Sequence, residues 1–166
     1  MSEPLLPPEI EELAKRVVEE NARAKRMVAT AESCTGGLVA AALTEIPGSS
    51  AVLDRGFVTY SNAAKMEMLG VPSDIIETFG AVSIACVWAM AKGALDNSNA
   101  DVAVAISGVA GPGGGTATKP VGTVVFARVR RGDDGEPEGE LKSFGDLGRA
   151  EIRRQATLCA LELLLP

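Results

Sequence analysis

The stretch "RMVATAESCTGGLVAAALTEI", Arg26 to Ile46, sets the fold. It begins short and apolar, which reads as a buried strand over residues 26–30. Gly36 and Gly37 interrupt the chain, and Thr35 to Ile46 then reads as a helix that "PGSS" stops at Pro47. A buried strand turning tightly into a helix is the opening of an α/β unit. The turn, "TAESCTGG" (30–37), carries two adjacent nucleophiles, Ser33 and Cys34, beside Glu32, in a chain without histidine.

On the N-terminal side, residues 1–8 are Pro-rich and expected to fray, leaving one domain over 9–166. Helical spacing starts at Ile10, with Leu13, Val17 and Val18 on one side. On the C-terminal side, "AVLDRGFVTY" (51–60) reads as a second strand. "SNAAKMEMLG" (61–70) is a short helix, with Ser61 as its cap and Gly70 as its stop. "PSDIIETFG" (72–80) and "SIACVWAMAKGALDNS" (83–98) are further helices, the second capped by Ser83 with Val87, Trp88, Ala91 and Leu95 toward the core. "DVAVAIS" (101–107) is the clearest buried strand, and the Gly-rich "GVAGPGGGTATKP" (108–120) is irregular. "VGTVVFARVR" (121–130) and "ELKSFGD" (140–146) form an antiparallel hairpin around the acidic loop "RGDDGEPEGE", before a last helix from Arg149 to Leu164. The expected fold class is α/β: a single-domain mixed β-sheet flanked by helices, with an antiparallel hairpin near the C-terminus.

Composition narrows the function classes. The 166 residues are 46% hydrophobic but only 4% aromatic, so Ala, Val, Leu and Ile must build the core. A net charge of −6 argues against nucleic-acid binding, which needs a basic field, but leaves room for a small anion held by local Arg or Lys. Three dispersed Cys, no CxxC and no His argue against a disulfide framework and a zinc site. The N-terminus lacks signal-peptide character, and no apolar run reaches the roughly 18 residues of a membrane helix. A cytoplasmic protein without membrane contact is expected, and apolar surface on an Ala-rich fold suggests a homo-oligomer.

The chemistry gathers at strand ends. Ser33 lies where a strand meets a helix N-terminus, whose free N–H groups can hold a phosphate or an oxyanion. Gly36 and Gly37 permit close approach to the backbone. Locally, Ser33 or Thr35 reads more simply as a helix cap, and Cys34 as a small buried hydrophobe rather than a thiol nucleophile. Glu32 is either a base or a brace for the turn. Without histidine, a serine nucleophile needs another base, and "TYSNAAK" offers Lys65, with Tyr60 beside it. Lys65 would have to act neutral, which burial must bring about at a cost on the order of 4 kcal/mol; the plain alternative is a solvated surface lysine. Ser107 and Gly108 close the strongest strand, where α/β proteins place ligands, and the following glycines can wrap an anion. Arg149 opens the last helix, where a cation opposes the dipole, so a ligand or a surface ion pair must account for it.

Together, "AESCTGGLVAAALTEIPGSSAVLDRGFVTYSNAAKMEMLGV", "GAVS", "ISGVAGPGGGTATKPVGTV" and "FGDLGRAEIRRQ" resemble the CinA C-terminal domain family, over residues 9–165 and in the family's order. Larger members carry an additional N-terminal domain, so the resemblance is to the stand-alone form. It implies a nicotinamide-nucleotide amidohydrolase that converts nicotinamide mononucleotide to nicotinate mononucleotide and ammonia, with no cofactor or metal. The family's serine nucleophile maps onto Ser33, its lysine and tyrosine onto Lys65 and Tyr60, its strand-end hydroxyl onto Ser107 and its arginine onto Arg149. Where the family often reads Gly-Asp-Arg, this chain has "GDLGR", two residues longer. Substrate contacts are expected from Cys34, Thr35, Gly36, Gly37, Ser107, Gly108 and Arg149. The alternative is a non-catalytic nucleotide- or phosphate-binding module.

Overall fold

The computed structural model describes residues 3–133 and 138–166. Asp134 to Pro137, part of the acidic loop, lie outside the described residues, as do Met1 and Ser2. Helix α1 (Pro8–Ala24) starts two residues before Ile10, because proline suits a first turn whose N–H has no intrahelical partner. In the segment expected to fray, the Leu5 N–H donates to Glu45 and Leu6 packs against the core. Strand β1 (Val28–Glu32), helix α2 (Leu38–Thr44) and strand β2 (Leu53–Val58) form the first unit. Helices α3 (Asn62–Leu69), α4 (Ser73–Phe79) and α5 (Ile84–Asp96) lead to β3 (Val102–Gly108). The hairpin β4 (Thr123–Arg130) and β5 (Glu138–Ser143) precedes α6 (Arg149–Leu163).

Among the described residues the sheet has five strands in the order β2-β1-β3-β4-β5. The first three are parallel, and β4 and β5 extend the sheet antiparallel. Alternation along the strands sorts the two faces. Val28, Val102, Val104, Ile106, Val124 and Phe126 meet α1, α2 and α6 on one face. Ala29, Ala31, Ala103, Ala105 and Ala127 meet α5 on the other, where small side chains let the helix lie close. β1 hands its chain to α2 on the first face, whereas β3 turns away into β4. Their C-terminal ends lie side by side, at the edge of the sheet where such folds usually place ligands.

Both caps expected from the sequence form: Ser61 accepts from Ala64 N–H and Ser83 from Cys86 N–H. Gly70 ends α3 in the left-handed conformation. Helix α3 lies against α5 at Gly93, where a Cβ would sit 2.0 Å from the Leu69 carbonyl oxygen. Gly93→Ala must push the two helices apart, and should cost about 1–3 kcal/mol of stability, read as a lower denaturation midpoint. An unchanged midpoint would refute the tightness of this contact.

Candidate active site

The site starts from a buried carboxylate. Glu32 ends β1, fully buried, and accepts hydrogen bonds from the Thr35 hydroxyl at 2.6 Å and from the N–H groups of Gly37 (3.3 Å), Val39 (2.9 Å) and Ala40 (3.1 Å). It thus caps α2 in place of Ser33 or Thr35, and α2 begins at Leu38 rather than at Thr35. Neither residue is the helix cap that the local sequence favours, and Glu32 is the brace rather than the base. Gly36 and Gly37 take positive φ values of 60° and 106° to reverse the chain between strand and helix. Their N–H groups point to Ser33 O and Glu32, so these two amides, like the Thr35 hydroxyl, are already engaged within the protein.

Ser33 keeps its place in the sheet, its N–H bonded to Ile106 O at 2.9 Å. Its Oγ accepts from Lys65 Nζ at 2.9 Å. Lys65 comes from α3 and is 1% exposed, not the surface lysine of the plain reading. Its Nζ also donates to Thr59 O (2.8 Å) and Tyr60 O (3.2 Å). Burial pushes the Lys65 ammonium below its ordinary lysine range. Cys34 faces the opposite way, into the core under α1 and α2, and burial drives its thiol up to about 12. The helix terminus does not make it a thiolate, since Glu32 already occupies those amides and its charge adds to the rise.

Tyr60 reaches Lys65 through its carbonyl, while its exposed ring carries the hydroxyl to Arg149 Nη2 at 3.0 Å. Arg149 Nη1 donates to Gly111 O at 2.7 Å, joining α6 to the Gly-rich loop. Ser107 is 2% exposed at the end of β3, next in line to Ser33 across the sheet. Gly108 is glycine for another reason: a Cβ would come within 2.9 Å of Thr123 O and 2.8 Å of the Val124 side chain. The Gly-rich loop is tied down by Lys119, whose Nζ donates to Phe79 O at 2.7 Å.

Sequence reasoning missed Arg153. One turn after Arg149 on α6, it donates to Cys34 O (3.1 Å) and Thr35 O (3.4 Å), holding the outer side of the Ser33 turn. The i, i+4 spacing from Arg149 in "GRAEIRRQ" was the available signal. The hydrogen-bond partners of Arg149 and Arg153 are all carbonyl and hydroxyl oxygens, so neither guanidinium is paired to a carboxylate through these bonds.

A CinA C-terminal domain model matches residues 10–166. The chain belongs to the CinA C-terminal domain family. This CinA domain is 54% identical over 139 residues to the nicotinamide-nucleotide amidohydrolase PncC of Enterobacter agglomerans, covering 83% of the chain and 82% of that protein. It is 51% identical over 153 residues to a CinA-like protein of Akkermansia muciniphila, covering 92% of the chain but 36% of that longer relative. It likewise spans 33% of a putative competence-damage inducible protein of Symbiobacterium thermophilum. The crystal structure of competence/damage inducible protein CihA from Agrobacterium tumefaciens superposes with a TM-score of 0.92 at 54% identity, covering 99% of this chain and 97% of that one. Among the described residues, no helix of this CinA domain is long and apolar enough to cross a membrane.

Two outcomes follow from the buried charges. Glu32→Ala leaves the amides of Gly37, Val39 and Ala40 without their carboxylate and should cost about 3 kcal/mol or more by urea denaturation, with Glu32→Gln milder. A near-neutral Glu32→Ala would contradict the brace. For Lys65, the unfolded chain binds more protons than the folded one between the depressed folded value and the ordinary lysine value, so the parent gains stability as pH rises through that window. The stability advantage of Lys65→Met over the parent should therefore be greatest at neutral pH and shrink toward about pH 10. A gap independent of pH would remove the depressed Lys65.

Proposed function

We propose that this chain hydrolyses the carboxamide of nicotinamide mononucleotide, with Ser33 as nucleophile and Lys65 as base. The observation that carries this reading is the 2.9 Å contact between Lys65 Nζ and Ser33 Oγ inside the protein. Similarity to an amidohydrolase named for nicotinamide nucleotides supports the substrate.

The geometry fits a neutral amine. As an ammonium, Lys65 Nζ donates to Ser33 Oγ, Thr59 O and Tyr60 O; once it has lost a proton, its two remaining N–H groups satisfy the two carbonyls and the lone pair is left to accept from the Ser33 hydroxyl. Lys65 takes the Ser33 proton as Oγ attacks the amide carbon, whose electrons the cationic pyridinium withdraws. The Gly36 and Gly37 amides being engaged, the oxyanion falls to the turn amides of Cys34 and Thr35, a contribution of roughly 3–4 kcal/mol per donor. Lys65 then returns its proton to the departing nitrogen, and the C–N bond breaks with release of ammonia. Water attacks the resulting ester, again giving its proton to Lys65, and Ser33 leaves reprotonated. Tyr60 Oη accepts from Arg149 and keeps its own proton, so it can meet the substrate's outer part or share the proton delivery with Lys65. Arg149, bonded to the Gly-rich loop at Gly111 O, supplies the positive charge a phosphate requires.

Ammonia release from nicotinamide mononucleotide tests the proposal. Ser33→Ala and Lys65→Ala should each lower turnover about 10³-fold or more. The parent rate should rise with pH as Lys65 loses its proton, with its inflection below the ordinary lysine range. Full activity of Ser33→Ala would overturn the mechanism. Binding of the nucleotide by the parent without any turnover would instead favour the binding-module reading.

A further inference from the structure

Strand β5 is an edge of the sheet, and among the described residues no other strand pairs with its outer side. Its main-chain groups divide by parity. The Phe144 N–H donates to Gly122 O at 2.9 Å, in register with the β4 pairing. Stepping by two, Lys142, Glu140 and Glu138 also direct their N–H and C=O groups inward to β4. Gly139, Leu141 and Ser143 direct theirs outward. The side chains divide as well: Leu141 shares the face of Val125, and Glu138, Glu140 and Lys142 lie on the other.

Leu141 is 51% exposed, and Ile84, which begins α5, is 41% exposed. The Ile84 side chain lies over Gly139, where a Cβ would come within 2.7 Å of Ile84 Cγ2. Two large apolar groups therefore stand beside an open strand edge. Glu138 is held by Arg128, while Glu140 and Lys142 keep 46% and 37% of their side chains in solvent, with only a loose 4.0 Å contact to each other and a 3.5 Å hydrogen bond from Lys142 Nζ to Cys159 Sγ to give up.

We propose that this edge pairs antiparallel with β5 of a second copy of the chain, centred on Leu141. In that register Leu141 meets its symmetry mate, and Gly139 meets Ser143 of the other copy. These are the residues whose hydrogen-bonding groups point outward, so the pairing satisfies the free edge. Glu140 of each copy then faces Lys142 of the other at the closer, non-hydrogen-bonded positions, giving two cross-strand ion pairs. The neighbouring registers that also match the outward groups fail on charge. Centring on Glu140 sets carboxylate against carboxylate, and centring on Lys142 sets ammonium against ammonium. Charge thus selects both the partner, a second copy, and the register. The Ile84 side chains flank the Leu141 pair and shield it from water. The two sheets become one continuous sheet, with the C-terminal ends of β1 and β3 away from the paired edge.

Sedimentation velocity of the full chain at micromolar concentration tests this, together with Lys142→Glu, Glu140→Lys and the charge-swapped double variant. The parent should sediment as a dimer. Each single reversal should weaken self-association roughly tenfold or more, since it turns two attractive pairs into two repulsive ones. The double swap should restore the dimer, which a merely damaged fold would not do. Unchanged melting and circular dichroism would confirm that the single variants fold. A monomeric parent, or a dimer indifferent to all three variants, would overturn the proposal. It stands apart from the amidohydrolase reading, since neither residue belongs to the catalytic site.

Discussion

A carboxylate shut away from water at the end of the central strand governs the geometry around it. A buried charge costs several kcal/mol unless its lone pairs are filled, and Glu32 fills them with one hydroxyl and three amides. The amides belong to the N-terminus of α2, where the helix dipole is positive, so charge and dipole stabilise one another. The consequence is mechanical. β1 and α2 are pinned together, and residues 33–37 form the short arch between them. Two glycines in left-handed conformations make the arch possible, and Arg153 ties its outer carbonyls to α6. The same arrangement consumes the anion-binding capacity that a free helix terminus would have offered.

The second buried charge is opposite in kind. Lys65 is dry and faces no carboxylate among its hydrogen-bond partners, which favours the neutral amine rather than a structural ion pair. Holding it there is expensive for a helix of only eight residues, a length marginal by itself. The structure supplies the support from outside: Ser61 and Gly70 fix the ends of α3, the Val71 N–H bonds to Lys65 O, and Gly93 allows α3 to press against α5. A glycine far along the chain thereby contributes to the position of the buried amine.

The element order was legible in the sequence because period and punctuation agreed along most of the chain. Ser61, Gly70 and Ser83 sit where a cap or a stop belongs, and those boundaries were readable to within a residue. The start of α2 was not, because its cap is a strand residue reaching five to eight positions forward, beyond the local spacing that capping patterns use. β5 begins at Glu138, two residues ahead of its expected start, since the partner strand rather than local propensity sets its length. The absence of histidine suggested Lys65 as the partner of Ser33 and the resemblance supported it, but the sequence alone did not fix their proximity. Nothing in "TYSNAAK" states that its lysine is buried, for that depends on how α3 meets α5. Arg153 was overlooked because its contacts are to backbone carbonyls, which leave no residue-type signature at the other end.

Strand parity separates the environments of Ser33 and the thiol next to it. Successive residues leaving β1 project to opposite faces. Glu32 and Cys34 fall on the side of α2, and Ser33 falls on the side of α3, where the lysine is. Cys34 is therefore denied a base, denied water and denied the helix amides, and its thiol is held protonated. Sulfur is intrinsically the better nucleophile, yet it is the position one residue earlier that meets Lys65. A shift of one residue in the exit from β1 would exchange the two environments. The hydrogen bond from Ser33 N–H to Ile106 O prevents that shift, so a sheet contact decides which of two adjacent side chains has access to the buried lysine.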